Sequence, residues 1–309
     1  MKAEHLEAGL SRILAAPSPF YRRRLEQAGF TVAARSTADS WARVPPTRRE
    51  ELVRDQLDNL PHGTRRFADA GHAVRAGISG SGDDLLVLTW TAADLARERA
   101  AGARLLTRLG LTAGMRVANT LPGALVTPGS LLLGDVIEDI AALDVPLGAI
   151  ENEPAAKAAW ELIDRVQPDV LVLEAPQATR LFAAAPPAER GWLRGLIWLR
   201  RGAEAAVLPT PPTPMGFEGW QRTWLAVAEA TSFVAGSCSA SFFHVDEGSI
   251  AEVIDSVGGG AVAAGEAGEL ALTPLGCDTP LVRYRSGLRV RAVAGACVCG
   301  EAGTVIDLG

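Results

Sequence analysis

Pro280-Leu-Val-Arg-Tyr-Arg-Ser-Gly287, preceded by Gly268-Glu-Leu-Ala-Leu-Thr273 and followed by Cys297-Val-Cys299-Gly300, holds the most specific residues of the chain. It combines alternating strand patterns, an arginine-rich strand ending in a Ser-Gly turn, and a tight pair of thiols. None of the three names a function alone. Upstream of it the periodicity changes twice, and those changes set the fold class.

Composition narrows the field first. The chain has 309 residues, 48% of them apolar, so it can bury a large core. Lys and Arg number 30 against 36 Asp and Glu, a net charge of -6 with no basic block, so nucleic acid is not an expected partner. The N-terminus, Met1-Lys-Ala-Glu-His-Leu-Glu7, places acids where a secretory signal needs apolar residues, and no apolar run is long enough to span a bilayer. No membrane partner and a cytoplasmic location are therefore expected. In that compartment the cysteines read as thiols, and Cys297 and Cys299 as candidate metal ligands, sooner than as disulfides.

Working back from the stretch, Glu269–Thr273, Leu281–Tyr284 and Arg289–Val293 read as strands, as do 232–235, 242–245 and 250–257. Before them Pro209-Thr-Pro-Pro-Thr-Pro214 reads as a stiff linker. The middle of the chain alternates helix and strand. Thr91 caps a helix to Leu109, Asn152 caps one to Val166, and strands fall at Arg116–Thr120, Val145–Ile150, Asp169–Leu173 and Leu196–Leu199. That alternation predicts a largely parallel sheet covered on both faces. Gly77-Ile-Ser-Gly-Ser-Gly82-Asp-Asp84 before Leu85–Leu88 is a strand-turn-strand signal, and its glycines permit a phosphate cradle. Before residue 77 the pattern is helical: a stripe at Leu6, Leu10, Ile13 and Leu14, a helix from Phe20 to Gly29, and another after Thr47 as its N-cap. The expected organisation is a helical segment 1–76, an α/β subdomain 77–208 and a β-rich subdomain 209–309.

These residues together resemble the adenylate-forming (AMP-binding) superfamily, most closely its phenylacetate-CoA ligase branch. Ser79-Gly-Ser-Gly82 with the strand behind it looks like that family's phosphate loop. Gly110-Leu-Thr-Ala-Gly-Met-Arg-Val117, Val170-Leu-Val-Leu-Glu-Ala-Pro176 and Gly202-Ala-Glu204 resemble later segments, and the opening stretch matches the last three in order. The resemblance implies an acyl-CoA synthetase-like large domain: a mostly parallel sheet flanked by helices, then a β-rich C-terminal portion. It also implies an acid activated by ATP and passed to the thiol of CoA. The nucleotide and acyl site would then fall on Ser79, Gly80, Ser81, Gly82, Gly202, Ala203, Glu204 and Arg285.

Against that pattern the chemical positions differ. Asp83 and Asp84 follow the loop where a lysine is expected, so the loop is predicted to repel a triphosphate. Phe233-Val-Ala-Gly-Ser-Cys-Ser239 stands near the family's Tyr-Gly-x-Thr/Ser-Glu and carries no glutamate. Leu288 replaces the ribose-binding aspartate. The chain is also expected to lack the family's small lysine-bearing lid domain. No catalytic residue is assigned, and ATP and AMP are not the expected cofactors. An inactive binding or assembly protein, with a small acid or acyl ligand and a protein partner, is the favoured reading. The alternative is an acid-CoA ligase completed by another chain or altered in chemistry. Arg283 and Arg285 fit an anion site or strand salt bridges equally well.

The resemblance also implies a structural zinc. Cys238, His244, Cys297 and Cys299 stand in order where this branch carries its metal ligands. Three thiolates and an imidazole close a tetrahedron without a position for water. The plainer reading is a hydrogen-bonded strand histidine beside ordinary small cysteines. Cys277 has no counterpart and is expected to be a buried or loop thiol.

Overall fold

Val170-Leu-Val-Leu173 is buried at every position, as a strand covered on both faces must be. In the computed structural model, which describes residues 12–13, 18–29, 38–121, 128–185, 190–202, 214 and 216–308, this strand lies inside an eleven-stranded sheet. The helices are α1 Pro19–Gln27, α2 Ala38–Arg43, α3 Arg49–Asp58, α4 Ala92–Arg108, α5 Pro128–Asp139, α6 Glu153–Val166 and α7 Ala175–Ala184. A separate antiparallel pair is formed by β1 Ala73–Ser79 and β2 Leu86–Thr91. The large sheet takes β3 Arg116–Asn119, β4 Leu143–Pro146, β5 Val170–Leu173, β6 Gly195–Arg201, β7 Trp220–Val227, β8 Thr231–Ser237, β9 Phe243–Val245, β10 Ser249–Ile254, β11 Ala267–Pro274, β12 Tyr284–Ala292 and β13 Val305–Asp307.

Strand order is β10-β11-β12-β13-β9-β8-β7-β6-β5-β3-β4. From β4 to β7 every pairing is parallel; from β7 to β10 every pairing is antiparallel. The parallel half follows from the helix-strand alternation, because a parallel neighbour requires a crossover. One face of it is covered by α4 and α5. There Gly102 brings α4 so close to β8 that a Cβ would lie 2.7 Å from Phe233 and 2.9 Å from Val136, while Phe233 stacks on Trp224 at 4.9 Å. The opposite face is filled by Trp160, Ile163 and Leu181 from α6 and α7. A third core cluster joins Leu52 of α3 and Leu86 and Leu88 of β2 to Leu270, Leu272 and Leu288 of the antiparallel half.

Two of the three N-caps read from the sequence are present. Thr91 and Asp94 form a reciprocal capping box at α4 (3.1 and 3.0 Å), and the Asn152 side chain accepts from the Ala155 amide at 2.9 Å. Thr47 does not cap α3. Its side chain is fully buried and donates to the Val282 carbonyl at 2.7 Å, while Arg48 stands at the N-cap. Of the strand predicted at Leu281–Tyr284 only Tyr284 is in a strand; it opens β12, which runs on to Ala292 through most of the segment predicted at Arg289–Val293, and the pairing of β12 with β11 carries a register irregularity between Glu269 and Ala271. β7 and β13 lay outside the sequence prediction. Of the Leu6–Leu14 stripe only Ile13 is described, and it is buried; Pro209–Pro214, save Pro214, lies outside the described residues, as do Ala203 and Glu204. No described helix is long and apolar enough to cross a membrane.

Candidate functional site

A cavity of about 800 Å³ opens where the β1–β2 turn meets the large sheet. Ser79 and Gly80 form one wall, Arg201 and Gly202 at the end of β6 another, and Tyr284, Arg285, Ser286 and Gly287 of β12 a third. The structure thus brings Ser79, Gly80, Gly202 and Arg285 together. Ser81 and Gly82 are exposed and outside the lining.

The predicted loop is not without a base. Arg49, the first residue of α3, crosses it and is held on every side. Its Nε donates to Asp84 at 2.6 Å, and its terminal nitrogens donate to the Asp84 carbonyl at 2.7 Å, the Ser79 carbonyl at 2.8 Å and the Ser79 hydroxyl at 3.1 Å. It also pairs with Glu229. Gly80, at φ +77°, is required there: a Cβ would sit 2.3 Å from Arg49 Nη2 and 2.5 Å from the Asp84 carbonyl. The loop therefore has a basic neighbour that the sequence reading lacked, although Arg49 is shared between Asp84 and Glu229, and Asp83 makes no ion pair with a described residue. Nothing in the motif betrayed this, since Arg49 arrives from thirty residues before the loop.

The expectation of no glutamate is corrected too. Glu229, on the turn between β7 and β8, points a largely buried carboxylate into the cavity and bonds both Arg49 and the Ser79 hydroxyl. Glu229 lies outside the Phe233–Ser239 motif segment, on the turn that follows β7, a strand without a sequence signal of its own. Burial, reinforced by Glu229 and opposed by Arg49, raises the Tyr284 phenol above its ordinary pKa, so it stays neutral. Arg285 and Arg201 are also engaged, with Glu269 at 2.5 Å and with Glu174. A charged ligand reaching these arginines competes with internal ion pairs, whereas Arg48, exposed in the same lining, makes no ion pair with a described residue.

Leu288 is placed differently from expectation. It is fully buried, packs in the core with Leu270, Leu272 and Val290, and does not line the cavity. Arg283 is likewise no anion ligand. Also buried, at φ +49°, it donates to Glu252 at 3.1 Å and to the carbonyls of Val44, Gly259 and Ala42 at 2.5, 3.0 and 3.3 Å.

A second cluster closes the far end of the antiparallel half. Cys238 follows β8, His244 lies on β9, and Cys297 and Cys299 sit on the turn before β13. Their ligand atoms all lie within 4.8 Å of one another; Cys238 and Cys297 sulfurs are 3.8 Å apart, and Cys299 Sγ is 3.2 Å from His244 Nε2. Thiolates about 2.3 Å from one tetrahedral ion stand about 3.8 Å apart, so the donor set fits zinc in both chemistry and spacing. His244 is fully buried, and its Nδ1 has no hydrogen-bond partner among the described residues; Glu301 stands 4.0 Å away, and Arg108 holds Glu301 at 2.9 Å. Such a carboxylate beside the non-ligating nitrogen is a common outer partner of a metal-bound imidazole. Cys277 is a buried thiol outside this cluster, and burial raises its pKa.

Comparison with solved structures places this geometry. An open form of 2-hydroxyisobutyryl-CoA ligase, in complex with 2-HIB-AMP and CoA, superposes with a TM-score of 0.84 over 99% of this chain and 72% of its own, at 19% identity. The chain has the acyl-CoA ligase fold. The postadenylation form of the same ligase aligns at 0.83 and 19% identity, with 99% of this chain spanning 65% of the ligase. A long-chain-fatty-acid-CoA ligase from Archaeoglobus fulgidus aligns at 0.54 and 12% identity, over 75% of this chain and half of the other. The chain thus spans about two thirds of the length of the 2-hydroxyisobutyryl-CoA ligase structures it matches. No family model matches the sequence, and no curated protein matches it.

Proposed function

We propose that this chain is a binding or assembly protein built on the acyl-CoA ligase fold, with adenylation chemistry given up. The observation that carries the reading is Arg49, whose guanidinium lies across the Ser79–Gly80 turn and spends its donors on Ser79, Asp84 and Glu229. A phosphate loop works by offering free backbone N–H groups and unspent positive charge. Here the charge is spent internally. The ligand class that suits the remaining cavity is a small acid or acyl group, because Tyr284, Ser286 and Gly202 leave neutral surface beside the paired arginines. A protein partner and a cytoplasmic place, where the thiols of Cys238, Cys277, Cys297 and Cys299 stay reduced, belong to the same reading.

Structural zinc on Cys238, His244, Cys297 and Cys299 is part of the proposal. It ties the segment before β13 to β8 and β9 and contributes folding energy without taking part in chemistry. Protein purified without added chelator is expected to carry about one zinc per chain, and Cys297→Ser to lose it. Metal-free protein with unchanged stability in chelator would overturn it.

Glu229 favours a second reading. A buried carboxylate next to a glycine turn, in a cavity of this size, is placed to hold Mg²⁺ against a triphosphate. An acid-CoA ligase would then work by swinging Arg49 from Asp84 and Glu229 onto the phosphates. Calorimetry with ATP–Mg²⁺, AMP and a panel of small carboxylic acids separates the two: acid binding without ATP binding supports the first, and tight ATP–Mg²⁺ binding lost in Glu229→Gln supports the second.

A further inference from the structure

Beside Glu229 the structure holds a second, smaller cavity of about 30 Å³, with Arg65, Thr89, Asp94, Arg97, Glu229 and Cys277 in its lining. Arg65 is only 3% exposed, yet it makes no hydrogen bond or ion pair with any described residue. An arginine stays protonated in proteins, so this is a buried cation that no carboxylate touches, offset only by the field of Asp55.

The surrounding acids do not supply one. Asp94 is taken by Arg97 at 2.8 Å and by the amides of Thr91 and Asp278 at 3.0 Å each. Glu229 is taken by Arg49 and Ser79. Asp55, the carboxylate whose field reaches Arg65, is occupied by the Thr64 amide at 2.6 Å and hydroxyl at 2.7 Å. The other nearby groups, Tyr21, Tyr284 and Cys277, are buried, which keeps each of them protonated and uncharged.

We propose that the cavity is a halide site, in which chloride rests on the Arg65 guanidinium with Arg97 beside it. The volume decides the ligand class. It admits one or two water-sized particles, which suits a monoatomic anion and excludes a phosphate or a carboxylate-bearing metabolite. A buried guanidinium that no carboxylate contacts favours an anion over a neutral water, since the ion cancels a desolvation cost that water only softens. Glu229 lines both this cavity and the large one, so the halide sits one side chain from the proposed ligand site.

Crystals of the full chain grown in sodium bromide, with diffraction recorded at the bromine edge, test this directly. An anomalous peak beside Arg65 is expected; a cavity holding water alone overturns the proposal. In solution, chloride or bromide should raise the unfolding temperature saturably, by about 2–4 °C, over gluconate at equal ionic strength, and Arg65→Met should abolish the difference. Identical melting in halide and gluconate overturns it as well. If Arg65→Met does not fold, the bromide experiment on the unaltered protein still decides.

Discussion

Replacing Leu288 by aspartate asks whether this position faces ligand or core. Leu288 is fully buried among Leu270, Leu272 and Val290. Removing a buried leucine side chain costs about 1.5–3 kcal/mol, and a protonated carboxyl left there without a partner adds about 1–3 kcal/mol. Leu288→Asp should therefore lose about 4 kcal/mol at pH 4, where the carboxyl can stay protonated. The pH dependence has a definite sign. Burial raises the folded-state pKa above the unfolded value of about 3.9, so the loss is smallest below that value. It then grows by about 1.4 kcal/mol per pH unit until the folded pKa is passed. Urea unfolding of the variant and parent at pH 4 and pH 7 measures both terms, with Leu288→Met as a control expected to cost less than about 1.5 kcal/mol. A Leu288→Asp protein within about 1 kcal/mol of the parent at pH 7, and newly able to bind ATP, would refute the placement, because it would put the side chain in the cavity.

Three further outcomes are expected. Arg283→Met removes the donor shared by Glu252, Val44 and Gly259 and strands a mostly buried carboxylate; chemical denaturation should show a loss of about 3–5 kcal/mol. Desolvation would raise the Asp278 pKa, but hydrogen bonds from Thr91 and Arg12 outweigh it and hold it below the ordinary carboxylate range. Its contribution is therefore full above the unfolded pKa of about 3.9 and is lost as pH falls through the lower folded value, so Asp278→Asn should flatten the acid limb of a stability-pH curve. Gly102→Val should lower the melting temperature through an overpacking cost of about 1–3 kcal/mol, because its side chain would meet Phe233 and Val136.

What the sequence made legible was local. Asn152, Thr91 and the run Val170–Leu173 carry their signals within a few residues, because caps and buried strands are decided by neighbours in the chain. The Cys/His set was legible because only its order was needed, and the fold brought all of it together. Arg49 and Glu229 escaped because they reach the loop from positions 30 and 150 residues from Ser79, and neither belongs to a local motif. Leu288 is the instructive miss. Tyr284, Ser286, Leu288 and Val290 alternate as buried positions along β12 with Arg285, Gly287, Arg289 and Arg291. The period of two had already turned Leu288 inward; comparison with a motif drew attention from it. Trp220–Val227 escaped for a different reason: its buried half, Trp224–Val227, is continuous instead of alternating, and its other half, Trp220–Thr223, is half-buried throughout.

Adenylation of a small acid is the step that separates a binding protein from a ligase on this fold. Carboxylate-dependent exchange of radiolabelled pyrophosphate into ATP, run over a panel of small acids with the full chain and with Arg49→Ala, measures that step alone. The internal pairing of Arg49 with Asp84 and Glu229 predicts no exchange above background in the parent chain with any acid. Exchange that depends on one acid and disappears in Glu229→Gln would contradict it and make the chain a working acid-activating enzyme.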